Sequence, residues 1–485
     1  MKTHLLALVL SVGSIGEALA DDAALIEPTS LIWERFLDGS SQDVASGAAI
    51  LSSGDIALVG TTGSGPGRDK TGVGFGSDIY DDAWIVVTDP SGRKRWDTVL
   101  GGPSFDGFND VASLANGRLL CAGHSSSDAG PGKFSRNISG SDVWVVCLDS
   151  DGRHLWDKSY GLGWTESGMS LCVVDSQKVA VAGASDGRGY LLLINPDGGV
   201  IAQKFYGPVV ESISAVRSAP DSSLFLCGYT SRRELWVAKT APGEVDLAWS
   251  FVLSSPHPTH GLSLVALRDG GALACGGSFY ASLEGGEDGV GVMVKLDAAG
   301  RVVWQREYRF GLKRNMVLGV AELNGNGFVA SGTFGSVGSQ KHFLARLGGD
   351  GQLLWKNVFS AGTWGANCAT LQCADGGFLV LGSSSIPAFD MDIHLVKFAP
   401  ELTAAQADPP VLSVSPRLGS HLGQDGFHFS LIGKPNHQYI TERTVDFLHW
   451  QPFTTNTAFL TDTKLVDPMA FGRPKSEYRT REVTP

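Results

Sequence analysis

The sequence predicts an all-β protein: a seven-bladed β-propeller closed by its N-terminal strand, followed by a small β-sandwich. Three observations carry the prediction. A tryptophan-bearing hairpin recurs along residues 31–400, glycine supplies 63 of the 485 residues, and no apolar pattern of helical period appears. Glycine is nearly twice its usual share of about 7%, as expected where turns repeat many times. The 43% hydrophobic content supports a large core.

Residues 1–20 come first in the chain. Lys2 precedes an apolar run from Leu5 to Val12, and Ala18-Leu19-Ala20 is a small-x-small cleavage pattern. This is the pattern of a secretory signal peptide, too short to span a bilayer, and it predicts a secreted or periplasmic protein. No later stretch reaches the apolar length of a membrane span. The charge is 38 basic against 50 acidic residues, net −12, with no basic run, which excludes a nucleic-acid partner. A monomer is expected. The seven cysteines show no CxxC spacing and lie mostly in apolar runs, so most are expected to be free, buried thiols.

The repeat is clearest in VTDPSGRKRW (87–96), CLDSDGRHLW (147–156), KLDAAGRVVW (295–304) and RLGGDGQLLW (346–355). Each copy is followed by a loop and a second hairpin whose outgoing strand ends near a glycine: 60, 123, 183, 228, 276, 332 and 382. Seven copies with a period of about 53 residues match four-stranded propeller blades. We label the strands A to D from the axis outward. LIWERFL at 31–37 is a D-type strand with no A, B or C before it, and DIHLVKF at 392–398 is a C-type strand with no D after it. The two leftovers complete one blade. Trp33, Trp96, Trp156, Trp249, Trp304 and Trp355 share the strand D position, and Trp84, Trp144 and Trp236 share one in strand C, leaving Trp164, Trp364 and Trp450.

SDVWVVCLDSDGRHLWDKSYG, with its glycine-ended hairpin, resembles the Trp-containing propeller repeats of secreted bacterial proteins. That resemblance implies the fold and export but no particular activity. After a linker at 401–410, residues 411–485 read as short strands separated by turns. FHFSLIGKPNHQYITERTVDFLHW resembles a small immunoglobulin-like module found at the C-terminus of bacterial exported proteins, which implies a β-sandwich.

In a propeller the B–C and D–A connections emerge on one face, and long loops on a rigid scaffold are the usual place for binding residues. Here the long loops are 61–82, 124–141 and 278–288, with Trp164 and Trp364 on D–A loops of the same face. Counting back from the A–B turns places Asp43, Asp106, Glu166 and Glu211 at equivalent positions in four successive blades, with Thr259, Met316 and Gly365 in the other three. Four carboxylates around a channel mouth could bind a ligand or act in pairs on a glycosidic bond. Alternatively, an acid repeated blade by blade is part of the blade and bonds its own loop amides. Asp78, Asp81 and Asp82 form the densest acidic cluster, where calcium is the metal to consider, although no EF-hand spacing is present. No other cofactor is implied. The GSGPGRDKTG stretch lacks phosphate-loop spacing, and His257 and His260 cannot form a helical zinc pair beside Pro256 and Pro258.

The reading these features favour is a non-enzymatic exported binding or scaffold protein, recognising a protein or carbohydrate ligand through its looped face. The alternative is a polysaccharide hydrolase or lyase using the channel-mouth carboxylates.

Overall fold

The computed structural model describes residues 29–75, 80–255, 257–279, 289–311, 313–324, 327–336, 339–360, 365–385 and 391–400, and the backbone of the strands beyond 410. Its elements are all β-strands, arranged in seven four-stranded antiparallel sheets and two three-stranded ones. Blades 1 to 6 occupy 43–100, 106–160, 166–205, 210–252, 259–308 and 316–360. The last sheet takes strands A to C from 365–398, and its fourth strand is Leu31–Leu37, antiparallel to Asp392–Phe398 with Glu34 opposite Val396.

The recurring glycines have two separate causes. Gly60, Gly123, Gly183, Gly228, Gly276 and Gly332 lie within strand B, two or three residues before its end, opposite a bulge in strand A. The bulge drives a strand A carbonyl towards them. A β-carbon at Gly123 would stand 1.9 Å from the Gly107 oxygen, and one at Gly60 1.8 Å from the Val44 oxygen. Any side chain there would break the A–B ladder.

The other glycines, such as Gly92, Gly152, Gly300 and Gly351, sit in C–D turns at φ near +80°, where an L side chain is strained. Each also faces the strand D tryptophan of the preceding blade. Trp96 lies against Gly152 and donates to Ser150 O at 3.2 Å, Trp249 against Gly300, and Trp304 against Gly351. Each indole is thus clamped by the next blade's turn, which is why Trp and Gly repeat together.

The A strands link blades at the other face. The Asp106 amide donates to Asp81 O, the Glu166 amide to Ser141 O and the Thr259 amide to Arg233 O. Apolar clusters fill the space between neighbouring sheets, with Trp84, Trp144, Tyr190 and Phe343 fully buried at one strand C position. Cys121, Cys147, Cys172, Cys227 and Cys275 are free thiols inside these clusters, and Cys373 is a half-buried free thiol.

The chain divides into two compact units, one of which is 30–399. Beyond 410 the strands form two antiparallel three-stranded sheets. One combines Val411–Ser413, Phe427–Ile432 and Thr463–Asp467, and the other Gln438–Thr444, Gln451–Thr457 and Glu477–Glu482. The linker at 401–410 and Trp450 lie outside the described residues.

Candidate functional site

The long B–C loops of blades 1 and 2 are built on the same plan. Each sends one lysine inward, and both lysines are buried: Lys70 in blade 1 and Lys133 in blade 2. Lys70 donates to Ser64 O, and Lys133 donates to Ser127 O and Ser135 O, both at 2.9 Å. Asp43, Asp82 and Asp97 act electrostatically on Lys70, and Asp106, Asp142 and Asp157, with the exposed Asp128, on Lys133. Burial lowers both lysine pKa values, and the aspartates oppose that shift.

The outermost aspartate of each trio ties the loop to its sheet. Asp157 accepts the Phe134 and Ser135 amides at 3.0 and 2.9 Å and the Trp144 indole N–H at 2.9 Å. Asp97 accepts the Thr71 amide, its hydroxyl and the Trp84 indole in the same way. Burial works against the Asp157 carboxylate, but bonds from His154, Ser135 and Trp144 overcome it and hold its pKa far below the usual range.

These anchored loops carry exposed apolar side chains. Val73 and Phe75 lie on the first, Phe134 and Ile138 on the second, and Phe105 and Trp164 on the adjoining D–A loops. Phe134, Ile138 and Trp164 are 64, 62 and 69% exposed. Close approaches knit the loops together: the Phe75 ring lies over Gly132, Ile138 over Gly161, and Tyr80 meets Phe105 edge to face at 4.8 Å. All six apolar residues therefore share the looped face above blades 1 to 3.

The repeated acids sit at the root of these loops. Asp43 is buried, accepting the Gly39 amide at 2.7 Å and the Ser64 hydroxyl at 2.9 Å. Asp106 does the same with Gly102 and Ser127, both at 2.7 Å. Burial raises the pKa of each, and the donated bonds offset part of the rise. Glu166 starts strand A of blade 3 in register with Ser185, matching Asp106 opposite Ser125.

Glu211 is not the fourth member of this set. Strand A of blade 4 bulges between Val210 and Ser212, so Val210 faces Thr230 and Glu211 turns aside to pair with Arg233 at 3.2 Å. The match to Met316 in blade 6 also slips by one. Met316 faces Thr333, one residue beyond Gly332, and the neighbouring Asn315 takes the acid's part by accepting the Phe310 and Gly311 amides. The extra bulge residue of blade 4 cannot be seen by counting back from a turn.

The remaining predicted residues separate. Asp78 and Trp364 lie outside the described residues. Asp82 accepts the Phe75 amide at 2.8 Å, while Asp81 points to Gly63 and the neighbourhood of His124. Consecutive residues of an extended strand face opposite ways, so these two carboxylates do not converge. Among the described residues no group of three or more His, Cys, Asp or Glu could hold a metal ion.

The axial channel holds a cavity of about 430 Å³, lined by Ala48, Ala49, Asp110, Cys172, Arg217 and Gln372. None of the predicted site residues lines it. In it Asp110 accepts the Ser170 hydroxyl at 2.9 Å, and Arg217 lies 3.6 Å from the same carboxylate.

The sequence reading missed the buried lysines, because a lysine in a glycine-rich loop reads as exposed. A signal was present: in both blades the lysine follows the serine by six residues and the strand A acid by 27.

Sheet order and blade packing define a seven-bladed β-propeller. The chain is similar in fold to the WD40 domain of Neurospora crassa Pan2, at 11% identity and a TM-score of 0.45, over 75% of this chain and 90% of that one. Chaetomium thermophilum Sqt1 gives 12% identity and 0.45 over 77% and 98%. A protein of unknown function from Dyadobacter fermentans gives 12% and 0.43 over 77% and 99%. No family model and no curated protein matches the sequence. No helix among the described residues is long and apolar enough to cross a membrane.

Proposed function

We propose that this is an exported, non-enzymatic binding protein whose propeller docks a partner protein on the looped face of blades 1 to 3. One observation carries the reading: six exposed apolar side chains stand on loops that two buried lysine–aspartate clusters hold in place. A contiguous exposed apolar surface marks an interaction site, and rigid loops lose little entropy on binding. Aromatic enrichment is a feature of protein–protein interfaces. The hydrolase alternative loses its residues, since Asp43 and Asp106 are occupied by amides and hydroxyls of their own blades. The same reading takes Leu31–Leu37 as the clasp that closes the ring, 1–20 as a signal for secretion or periplasmic delivery, and 411–485 as a β-sandwich module.

The test is photo-crosslinking in the native host from a reporter at position 134 or 164, with position 116 on the opposite hairpin face as control. A single adduct from 134 and 164 that disappears with Phe105→Ser supports the reading. Equal adducts from both faces, or none, refute it. A glycan array probed with wild type and Trp164→Ala reads the carbohydrate possibility, and array binding lost in that variant moves the assignment to a glycan.

A further inference from the structure

At the start of strand A, blades 1, 2 and 3 carry Asp43, Asp106 and Glu166, and the first two show what such an acid requires. In each, the B–C loop returns a serine hydroxyl to the carboxylate and a lysine ammonium to that serine's carbonyl. Blade 3 cannot do this. Its B–C connection is only Asp186-Gly187, both at positive φ, between Ser185 and Arg188. Neither a serine nor a lysine comes back.

The consequence is visible at Glu166. It is 2% exposed, and neither carboxyl oxygen has a hydrogen-bond partner. The amides of Leu162 and Val143 lie close enough to ease the charge, without completing a bond. Directly opposite, the Ser185 hydroxyl is also fully buried and unpartnered. The charges that act on Glu166 are two more acids, Asp142 from strand C of blade 2 and Asp186 from the turn. Arg188, on the next strand, lies over the Phe205 ring at 4.5 Å.

We propose that the junction of blades 2 and 3 is a seat for a protonated primary amine, the ε-ammonium of a lysine on the partner protein, held by Glu166 and Ser185. This rests on the looped face being a binding face, and adds the chemistry of one contact to it. An ammonium brings the positive charge that the junction lacks, and N–H donors where the neighbouring amides complete no bond; blades 1 and 2 likewise bring an ammonium near the strand A acid from their own loops. A metal ion fits less well, because the other carboxylates are already committed. Asp142 accepts the Ile138 and Ser139 amides, and Asp186 those of Trp164 and Thr165.

Gly163 of the D–A loop stands over the seat. Gly163 lies against Ser185 and Asp186 so closely that a β-carbon would stand 2.7 Å from the hydroxyl and 2.2 Å from the carboxylate. Next to it Trp164 belongs to the apolar patch, so an arriving lysine would be flanked by the partner's apolar contacts. Burial pushes the Glu166 carboxyl up to about 7, with Asp142 and Asp186 adding to the rise. Tyr190, on strand C of the same blade, also feels this carboxyl.

The probe is Nα-acetyl-lysine methylamide, titrated into the full-length protein by saturation-transfer NMR, with the Nε-acetylated form as control. Saturable binding at pH 8 is expected, lost on Nε-acetylation and weakened about tenfold or more in Glu166→Gln. Because the bound form needs the carboxylate, affinity falls about tenfold between pH 8 and pH 6. No binding, or binding indifferent to acetylation, overturns the proposal, and the acetylated control does not depend on the variant folding. Crosslinking from position 134 with no amine binding removes the seat alone. Amine binding without crosslinking leaves the seat and removes the docking face.

Discussion

Replacing Lys133 with methionine isolates what the buried ammonium contributes to the looped face. Methionine keeps most of the side chain's length and apolar stem while removing its charge and donors. The variant leaves the Ser127 and Ser135 carbonyls unpaired in the interior and strips the counter-charge from Asp106, Asp142 and Asp157. Two charge-assisted bonds at about 1.5–3 kcal/mol each give a loss of roughly 3–6 kcal/mol. That loss should be local at first. Amide hydrogen exchange followed by mass spectrometry should show peptides over 126–141 losing protection, while strands B and C of blades 4 and 5 keep theirs. A urea titration of the same variant gives the total. A change below about 1 kcal/mol, with loop exchange unaltered, would show that the aspartates shed their charge instead and that the ammonium does not organise the loop.

Three other outcomes follow from the same structure. Glu166 has its pKa raised in the fold, so its favourable contribution is complete below the unfolded value near 4.5 and is lost as pH rises through about 7; relative to Glu166→Gln, the wild type should lose roughly 3 kcal/mol in unfolding titrations between pH 4 and pH 8. His342, 1% exposed and stacked on Phe359 at 5.5 Å, is held down to about 3 by burial, so the fold loses stability as pH falls from 6.5 towards 3. His342→Phe should therefore outlast the wild type at pH 4 by roughly 3 kcal/mol and match it at pH 7.5 by thermal melting. In blade 2, Gly117→Ala meets nothing within 4 Å and bears only the strain of φ +81°, about 1 kcal/mol. Gly123→Ala, by contrast, drives a methyl into the Gly107 carbonyl and should cost about 3 kcal/mol or more, or prevent folding. Equal midpoints for the two variants would sink the account of the repeated glycines.

The parts of this fold that could be read from the sequence are those that recur with a visible side chain. Trp96, Trp249 and Trp304, each clamped by the next blade's turn glycine, leave a two-letter signature in several of the copies. The leftover strands at 31–37 and 392–398 followed from the same frame, and the two are paired in the structure. The site was less legible, for two physical reasons. A bulge adds a residue without changing the pattern around it, so Glu211 was matched one place away from Val210, which the ladder sets at that position. Burial of a charge depends on partners far apart in the chain. Lys133 meets Asp106, 27 residues before it, and Asp157, 24 after it, and nothing local announces that they converge. The apolar loop residues Phe134 and Ile138 would ordinarily have been assigned to the interior.

In the closing blade the position held by Trp84 and Trp144 belongs to His394, whose Nε2 lies 2.6 Å from the Glu34 carboxylate. Those two residues are 360 positions apart. The six intermediate blades can each form from contiguous sequence. The first strand, with Leu31 and Ile32 uncovered, has no partner until nearly the whole propeller has been made. The pairing of Leu31–Leu37 with Asp392–Phe398 is thus a highly non-local contact, the kind that slows folding. Throughout that interval both open edges of the incomplete ring are exposed to other chains. A newly made molecule spends its most vulnerable period with its oldest segment still waiting.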